Sequence, residues 1–341
     1  MTGKSSVALA AATLALAAAP AQAIVRGTPA SRAQFPYFAV VGTGCGGALI
    51  APDRVLTAAH CREVLDERPQ VRIGPRNELR RVRLLALDPV YVRWQKTALR
   101  EFPPGPADLM LIQLDRPVRD IAPVALARSL PGVGTRVVTI GRGATNPTTG
   151  AGQGIFRRGT VEIVANSSCS DQLPDAAARA WSVCTRDPRQ LAPASQPPFV
   201  SACFGDSGGP LLAGRVDIGA VSWGPACGSM RDPEIYANVA RGRTFALAAR
   251  PVWAPRVAGR PRIVGAARVG ATVKCTVRWL QRPARTSYDF VVGGFVKQGG
   301  TRAGFRIPAA ARGKTLTCYV SGSTAGGGYG SPLSPAVRVP R

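Results

Sequence analysis

The sequence contains one histidine, His60, which lies in the stretch TAAHC from Thr57 to Cys61. Imidazole exchanges a proton near neutral pH, so a single histidine can serve as the base of an active site. A lone histidine is, however, more often structural than catalytic. The choice between the two roles depends on which other reactive residues the chain supplies.

A serine that could work with this base lies in the glycine-rich stretch CFGDSGGP. The hydroxyl of Ser207 is a weak nucleophile until a neighbouring base removes its proton, and nearby glycines let backbone N–H groups approach an oxyanion. The base needs a buried carboxylate that fixes its tautomer. Asp108 directly precedes the apolar run LMLIQL. Residues 60, 108 and 207 therefore offer a base, a carboxylate and a nucleophile, in that order.

The segments that must position these residues favour short strands over long helices. The chain has 38 glycines and 30 prolines, which punctuate its apolar runs. Such runs bounded by turn residues are typical of an antiparallel β-protein. The strand candidates are YFAVV, GGALI, RVLTA, VRLLAL, LMLIQL, RVVTIG, GTVEIV and DIGAVSW, and GRTFALAARPV (242–252) is the one helix candidate.

The N-terminal stretch has the pattern of a secretory signal. Residues 1–23 contain Lys4, an apolar run over 7–19, and a small-residue end AQA. We therefore expect residues 1–23 to be removed and the protein to be secreted. Cleavage after Ala23 or after Ala21 fits the pattern. We find no other run of membrane-spanning length.

The cysteines and the charge limit the kinds of ligand. Eight cysteines in an exported chain predict disulfides, and a single histidine without a Cys-x-x-Cys pair gives no reason to expect a metal. The formal net charge of +25 favours non-specific binding to anionic surfaces, although composition bias also explains it. No motif points to specific nucleic-acid binding.

Taken together, the ordered stretches resemble the chymotrypsin/trypsin-type serine proteases. The stretches are IVRG, CGGALI, TAAHC, DLMLIQL, GDSGGP, VSWG and PEIYANV. The resemblance implies an all-β fold, a chymotrypsin-like double antiparallel β-barrel, and a secreted endopeptidase that cleaves proteins or peptides through an acyl-enzyme. We expect a monomer without cofactors. The alternative is an inactive relative that binds or adheres through its basic surface and C-terminal module.

The resemblance also assigns roles. Ser207 would attack the scissile carbonyl, His60 would carry its proton, and Asp108 would orient the imidazole. The backbone N–H groups of Gly205 and Ser207 would form the oxyanion hole.

Activation is expected to follow directly from export. In this family a newly formed apolar N-terminus pairs with the aspartate before the catalytic serine. Cleavage after Ala23 would expose Ile24, so we expect an ion pair between Ile24 and Asp206 without a long propeptide.

The resemblance places three residues in the specificity pocket: Ser201, Gly224 and Glu234. Ser201 stands where trypsin-like members have aspartate, and Glu234 stands where glycine is common. The pocket could accept basic side chains through Glu234. It could instead accept large apolar ones, with Glu234 in solvent or paired with Arg231. We slightly favour basic or mixed acceptance.

Two further departures from the family pattern concern single stretches. The usual Gly-Trp-Gly stretch is IGRG here, so a familiar tryptophan is absent. Glu78 is the one acidic residue in the loop that binds calcium in some relatives, and we expect no calcium there.

The C-terminal part differs from the rest of the chain. Residues 251–260 are rich in proline and arginine and predict a linker, and residues 261–341 resemble a small immunoglobulin-like β-sandwich. We thus divide the chain into 1–23, 24–250 (protease), 251–260 and 261–341. The resemblance to the proteases implies the disulfides Cys45–Cys61, Cys169–Cys184 and Cys203–Cys227. The resemblance to immunoglobulin-like modules implies Cys275–Cys318, with Trp279 beside it in the core.

Overall fold

The computed structural model describes residues 24–97, 105–146, 153–173, 175–224, 227–228, 232–331 and 333–341. The predicted signal segment, 1–23, lies outside these ranges. So does Arg231, the candidate partner of Glu234.

A closed, six-stranded antiparallel barrel forms the first part of the described chain. Its strands pair in the order β2-β3-β4-β7-β6-β5. Apolar side chains such as Leu49, Val55 and Ile112 are fully buried inside it. The strands of this part are β1 (Thr28–Pro29), which precedes the barrel, β2 (Phe38–Val41), β3 (Cys45–Ala51), β4 (Arg54–Thr57), β5 (Gln70–Ile73), β6 (Glu78–Leu87) and β7 (Met110–Leu114).

A second barrel of the same kind follows along the chain. Six strands pair in the closed order β9-β10-β11-β14-β13-β12, and β12 returns to β9. In β10 buried residues alternate with exposed ones from Arg157 to Val161, as expected for a strand with one face on a core. The strands are β8 (Ala125–Leu126), which pairs with β13 outside the barrel, β9 (Arg136–Gly141), β10 (Arg157–Val164), β11 (Ser182–Arg186), β12 (Pro210–Ala213), β13 (Val216–Trp223) and β14 (Glu234–Asn238).

Two antiparallel barrels of six strands are the architecture that the resemblance implied, and this prediction is confirmed. Within the described ranges, four short α-helices connect or follow the strands: α1 (Arg62–Glu67), α2 (Pro89–Thr97), α3 (Ala176–Ala180) and α4 (Val239–Ala246). The helix predicted over 242–252 overlaps α4, which begins and ends earlier, at Val239 and Ala246. Asn238 accounts for the early start, because its side chain accepts a hydrogen bond from the N–H of Arg241 (3.0 Å) and caps the helix.

The C-terminal part contains small β-sheets around one core. Val273, Phe290 and Leu316 are fully buried in that core. The sheets have two, three and five strands, in the orders β15-β18, β16-β17-β21, and β20-β19-β22-β23 with β24 on β22. The strands are β15 (Arg256–Val257), β16 (Arg262–Val264), β17 (Thr272–Thr276), β18 (Trp279–Gln281), β19 (Arg285–Val292), β20 (Phe295–Gln298), β21 (Gly304–Arg306), β22 (Thr315–Thr324), β23 (Gly327–Gly330) and β24 (Val337–Arg338).

The segment predicted as a linker is fixed to the first barrel. The N–H of Ala254 donates to the carbonyl of Leu85 in β6 (2.8 Å), and the guanidinium of Arg256 donates to the carbonyl of Arg83 (2.6 Å). From the C-terminal sheets, the carbonyl of Gly326 accepts a hydrogen bond from the N–H of Leu87 (2.9 Å). These bonds hold the C-terminal part against β6.

Within the residues that the structure describes, helices are short or polar, and none has the length and hydropathy needed to cross a membrane.

Candidate active site

His60 lies at the edge of the first barrel, just after β4. It occupies a short 3₁₀ turn, Ala59–Cys61, and the disulfide between Cys61 and Cys45 ties this turn to the start of β3. The His60 side chain is 31% exposed. The backbone therefore fixes the base while leaving its imidazole accessible to a substrate.

Asp108 orients this imidazole. One carboxylate oxygen lies 2.7 Å from His60 Nδ1, and the other accepts a hydrogen bond from the backbone N–H of His60 (3.0 Å). The Asp108 side chain is 1% exposed. Contacts to both oxygens fix the carboxylate, so Nδ1 carries the proton and Nε2 is left as the basic nitrogen.

Ser222 is a third partner in this network. Its hydroxyl donates to the same Asp108 oxygen that faces His60 (2.7 Å). In the sequence this residue lies within the stretch VSWG, and no pattern there predicts a role for it. No sequence pattern links this serine to an aspartate that lies 114 positions away in the chain. Only the adjacency of β13 to the start of β7 brings the two together.

The interaction between His60 and Asp108 shifts both pKa values in favour of the ionised forms. Desolvation alone would lower the pKa of His60, but the charge and the hydrogen bond of Asp108 outweigh it and raise that pKa. Desolvation would raise the pKa of Asp108, but the charge and hydrogen bonds of His60 and the hydroxyl of Ser222 hold it below its usual range. Asp108 is therefore an anion that stabilises a protonated imidazole.

The turn that carries Ser207 packs against the segment that carries His60. The Ser207 carbonyl accepts a hydrogen bond from the N–H of Gly46 (2.7 Å), the neighbour of Cys45. Gly208 has a φ of +76°, and a Cβ at this position would lie 2.1 Å from the hydroxyl oxygen of Thr57. Only glycine fits here, so the serine turn can sit directly beside the end of β4.

Two peptide groups in this turn have fixed directions. The carbonyl of Phe204 accepts from the N–H of Ala144 (2.7 Å), and the carbonyl of Asp206 accepts from the N–H of Gly209 (2.8 Å). In a trans peptide the N–H points opposite to its carbonyl. The N–H groups of the next residues, Gly205 and Ser207, therefore point away from the N–H donors of Ala144 and Gly209.

Asp206 lies fully buried beneath the turn. Its carboxylate accepts hydrogen bonds from the backbone N–H groups of Gly143 (2.7 Å) and Cys203 (2.9 Å). A Cβ on Gly141 would lie 1.9 Å from one of its oxygens, which explains a glycine in the IGRG stretch. Burial raises the pKa of Asp206 to about 7, although these hydrogen bonds favour the ionised form and oppose the shift.

Ile24 is equally buried, with an exposure of 0%. Its neighbour Val25 donates a backbone hydrogen bond to the carbonyl of Ser201 (2.9 Å). In the uncut chain the nitrogen of Ile24 is an amide, so it carries no charge that could pair with Asp206. The segment is nevertheless already seated beside the predicted specificity pocket.

Two of the three predicted pocket residues, Gly224 and Glu234, are close neighbours. A Cβ on Gly224 would lie 3.8 Å from a carboxylate oxygen of Glu234. Ser201 and Glu234 are 2% and 8% exposed, and the hydroxyl of Tyr236 donates to Glu234 (3.1 Å). Burial raises the pKa of Glu234 to about 8, although hydrogen bonds from the Ala202 backbone, Tyr236 and Ser201 oppose the shift. Nothing in the sequence around Tyr236 predicts this contact.

The eight cysteines are joined as Cys45–Cys61, Cys169–Cys184, Cys203–Cys227 and Cys275–Cys318. These are the pairs named from the sequence. Cys45, His60 and Cys61 bring three potential metal donors together, but both sulfurs are bonded to each other and offer no thiolate.

Comparisons with known proteins agree with this geometry. The sequence profile of the family named Trypsin matches residues 24–246. A snake venom serine protease, catroxase-1 of Crotalus atrox, is 30% identical over 246 residues, covering 66% of this chain and 86% of its own. Human kallikrein-5 is 29% identical over 214 residues, covering 58% of this chain and 64% of its own.

A solved structure shares the fold of the two barrels. It is that of neuropsin, a serine protease expressed in the limbic system of mouse brain, with a TM-score of 0.53 and 24% identity. The match covers 65% of this chain and 97% of that one. The chain belongs to the trypsin family of serine proteases.

Proposed function

We propose that this protein is an active serine endopeptidase. The observation that carries the proposal is the buried Asp108 carboxylate held 2.7 Å from Nδ1 of His60, with the Ser207 turn packed beside them. Family membership alone would leave room for an inactive relative. A complete set of base, carboxylate and nucleophile in this arrangement supports catalysis.

The proposed reaction proceeds through an acyl-enzyme. His60 Nε2 removes the proton of Ser207 as Oγ attacks the scissile carbonyl carbon, and the N–H groups of Gly205 and Ser207 stabilise the oxyanion. The imidazolium, stabilised by Asp108, then gives this proton to the leaving amine. Water attacks the ester in a second round, in which His60 again acts first as base and then as acid.

A serine-directed organophosphate tests this function. We expect stoichiometric labelling of Ser207 in the folded protein and no labelling of the Ser207→Ala variant, which is the matched control. A peptide-library cleavage profile then measures turnover and specificity together. Folded protein that neither labels nor cleaves would leave the alternative, a binding protein built on the protease fold.

We propose further that Glu234 directs cleavage towards peptide bonds that follow arginine or lysine. The buried position of its carboxyl, next to Gly224 and bonded to Tyr236, supports a role at the wall of the pocket. A bound guanidinium would replace the solvation that this carboxylate has lost. Large apolar side chains remain the alternative, since a protonated Glu234 would be neutral.

Maturation is proposed to occur on export. Removal of 1–23 would leave Ile24 as the N-terminus, and its ammonium could neutralise the buried carboxyl of Asp206. Four disulfides favour an oxidising compartment, and an extracellular location fits the venom origin of the relative described above. For the C-terminal part we propose an immunoglobulin-like module, which the Cys275–Cys318 bond within its core supports.

A further inference from the structure

The C-terminal part has a strongly uncompensated positive charge. Residues 261–341 contain 13 lysines and arginines and one acidic side chain, Asp289. None of these cations forms an ion pair within the described part of this segment. Most of this charge therefore has no anionic partner within its own module, and an anionic ligand could supply one.

Two of these cations line a shallow groove. It has a volume of about 390 Å³ and lies between β17, β18 and the start of β19. Lys274 and Arg282 line it together with the rings of Trp279 and Tyr288 and the side chain of Thr286. Both rings also pack against the module core, so each is part of the fold and of the groove wall.

Packing holds this wall rigid. A Cβ on Gly322 would lie 2.8 Å from the Trp279 ring and equally close to Pro283, so a glycine is required where the ring rests. The disulfide from Cys275, another lining residue, ties β17 to β22. Tyr288 is fixed through its backbone, whose N–H donates to Gly300 (2.7 Å). A preformed site loses little conformational entropy when a ligand binds.

The groove also has a fixed place relative to the protease. Trp279 lies in β18, which pairs with β15, and the Arg256 guanidinium of β15 is bonded to β6 of the first barrel. A ligand in the groove would therefore be held beside the first barrel rather than on a free tether.

We propose that this groove binds an acidic polysaccharide. Aromatic rings offer flat apolar surfaces against which the C–H face of a sugar ring can pack, and Lys274 and Arg282 can pair with its carboxylate or phosphate groups. The volume lies within the range of small-molecule sites, which suits one or two sugar residues of a longer chain. A single-stranded nucleic acid needs aromatic platforms for successive bases, whereas this groove offers two rings in one place. Binding in this groove does not require catalysis by the protease site.

Binding of polygalacturonate to the full-length secreted protein tests the proposal, with neutral dextran and oligo-dT as competing probes. Binding is measured by titration calorimetry at about 0.15 M salt, because salt at this concentration screens interactions between charges more than ~8 Å apart. The groove variant is Lys274→Gln with Arg282→Gln. The control variant, Arg312→Gln with Lys314→Gln, removes the same two residue types from exposed positions of this module outside the groove.

We expect the groove variant to bind polygalacturonate about tenfold or more weakly, and the control less than about twofold, because only paired charges contribute strongly. Tyr288→Leu, which keeps an apolar side chain but removes the ring, should also weaken binding while the melting temperature of the full chain changes little. Equal losses of affinity in both double variants would show that net charge alone determines binding, and would overturn the proposal. Preference for oligo-dT, equal binding of dextran, or no binding of polygalacturonate would overturn it as well.

Discussion

Replacing Glu234 by glutamine is the perturbation that tests the specificity pocket most directly. The change removes the charge but keeps the shape of the side chain and a possible hydrogen bond to Tyr236. If the carboxylate faces the side chain of the substrate, cleavage after arginine should suffer, and cleavage after phenylalanine should not.

The magnitude follows from two opposing contributions. Losing one partner of a buried ion pair costs about 3 kcal/mol. With a pKa of about 8 the carboxyl is mostly protonated at pH 7, and ionising it there costs ~1.4 kcal/mol. About 1.6 kcal/mol remains, which corresponds to roughly a 15-fold loss in kcat/KM for arginine substrates at pH 7. Near pH 9 the ionisation cost vanishes, and the loss should approach ~100-fold.

The sign of the pH dependence is part of the prediction. Because the carboxyl becomes charged as the pH rises through its pKa of about 8, the ratio of arginine to phenylalanine cleavage should increase with pH in the wild type. In Glu234→Gln the ratio should be flat. The ratio cancels the titration of His60, which affects both substrates alike.

The assay compares kcat/KM for two peptides that differ only in the residue before the scissile bond. Glu162→Gln, the same change in β10 of the second barrel, is the matched control and should leave both values unchanged. An equal loss for both peptides, or a pH-independent ratio in the wild type, would refute the placement of Glu234 against the substrate.

Three other outcomes follow from the same structure. His60→Ala should lower kcat by several orders of magnitude while the protein still folds and is secreted, and the wild-type kcat/KM should rise with pH around a midpoint above 6.5, because Asp108 raises the pKa of the base. A chain beginning at Ile24 should be active and more stable than one beginning at Gln22 by about 3–5 kcal/mol near neutral pH, and N-terminal sequencing of the secreted protein checks which forms. This advantage should shrink as the pH falls and Asp206 is protonated in both chains. Arg256→Ala should lower the free energy of unfolding by about 1–3 kcal/mol in a denaturant titration, whereas Arg260→Ala, at an exposed position, should change it little.

The sequence alone predicted the chemistry of the proposed site. The proposed reaction needs a serine, a histidine and an aspartate, and each lies in a short stretch of characteristic sequence. Local patterns of apolar and turn residues predicted short antiparallel strands, whereas the two barrels were implied by the resemblance to the protease family. The early start of α4 at Val239 could not be read from the apolar run, because the cap on Asn238 decides it.

What only the tertiary structure decided concerns contacts between distant residues. Ser222 reaches Asp108 across 114 positions, and Gly46 supports the Ser207 turn across the junction of the two barrels. Contacts between distant residues also produce three other features. These are the elevated pKa of Glu234, the attachment of the predicted linker to β6, and the cationic groove of the C-terminal part. The physical reason is that burial, hydrogen bonding and electrostatic interaction depend on distance in space, and sequence patterns report only the preferences of neighbouring residues along the chain.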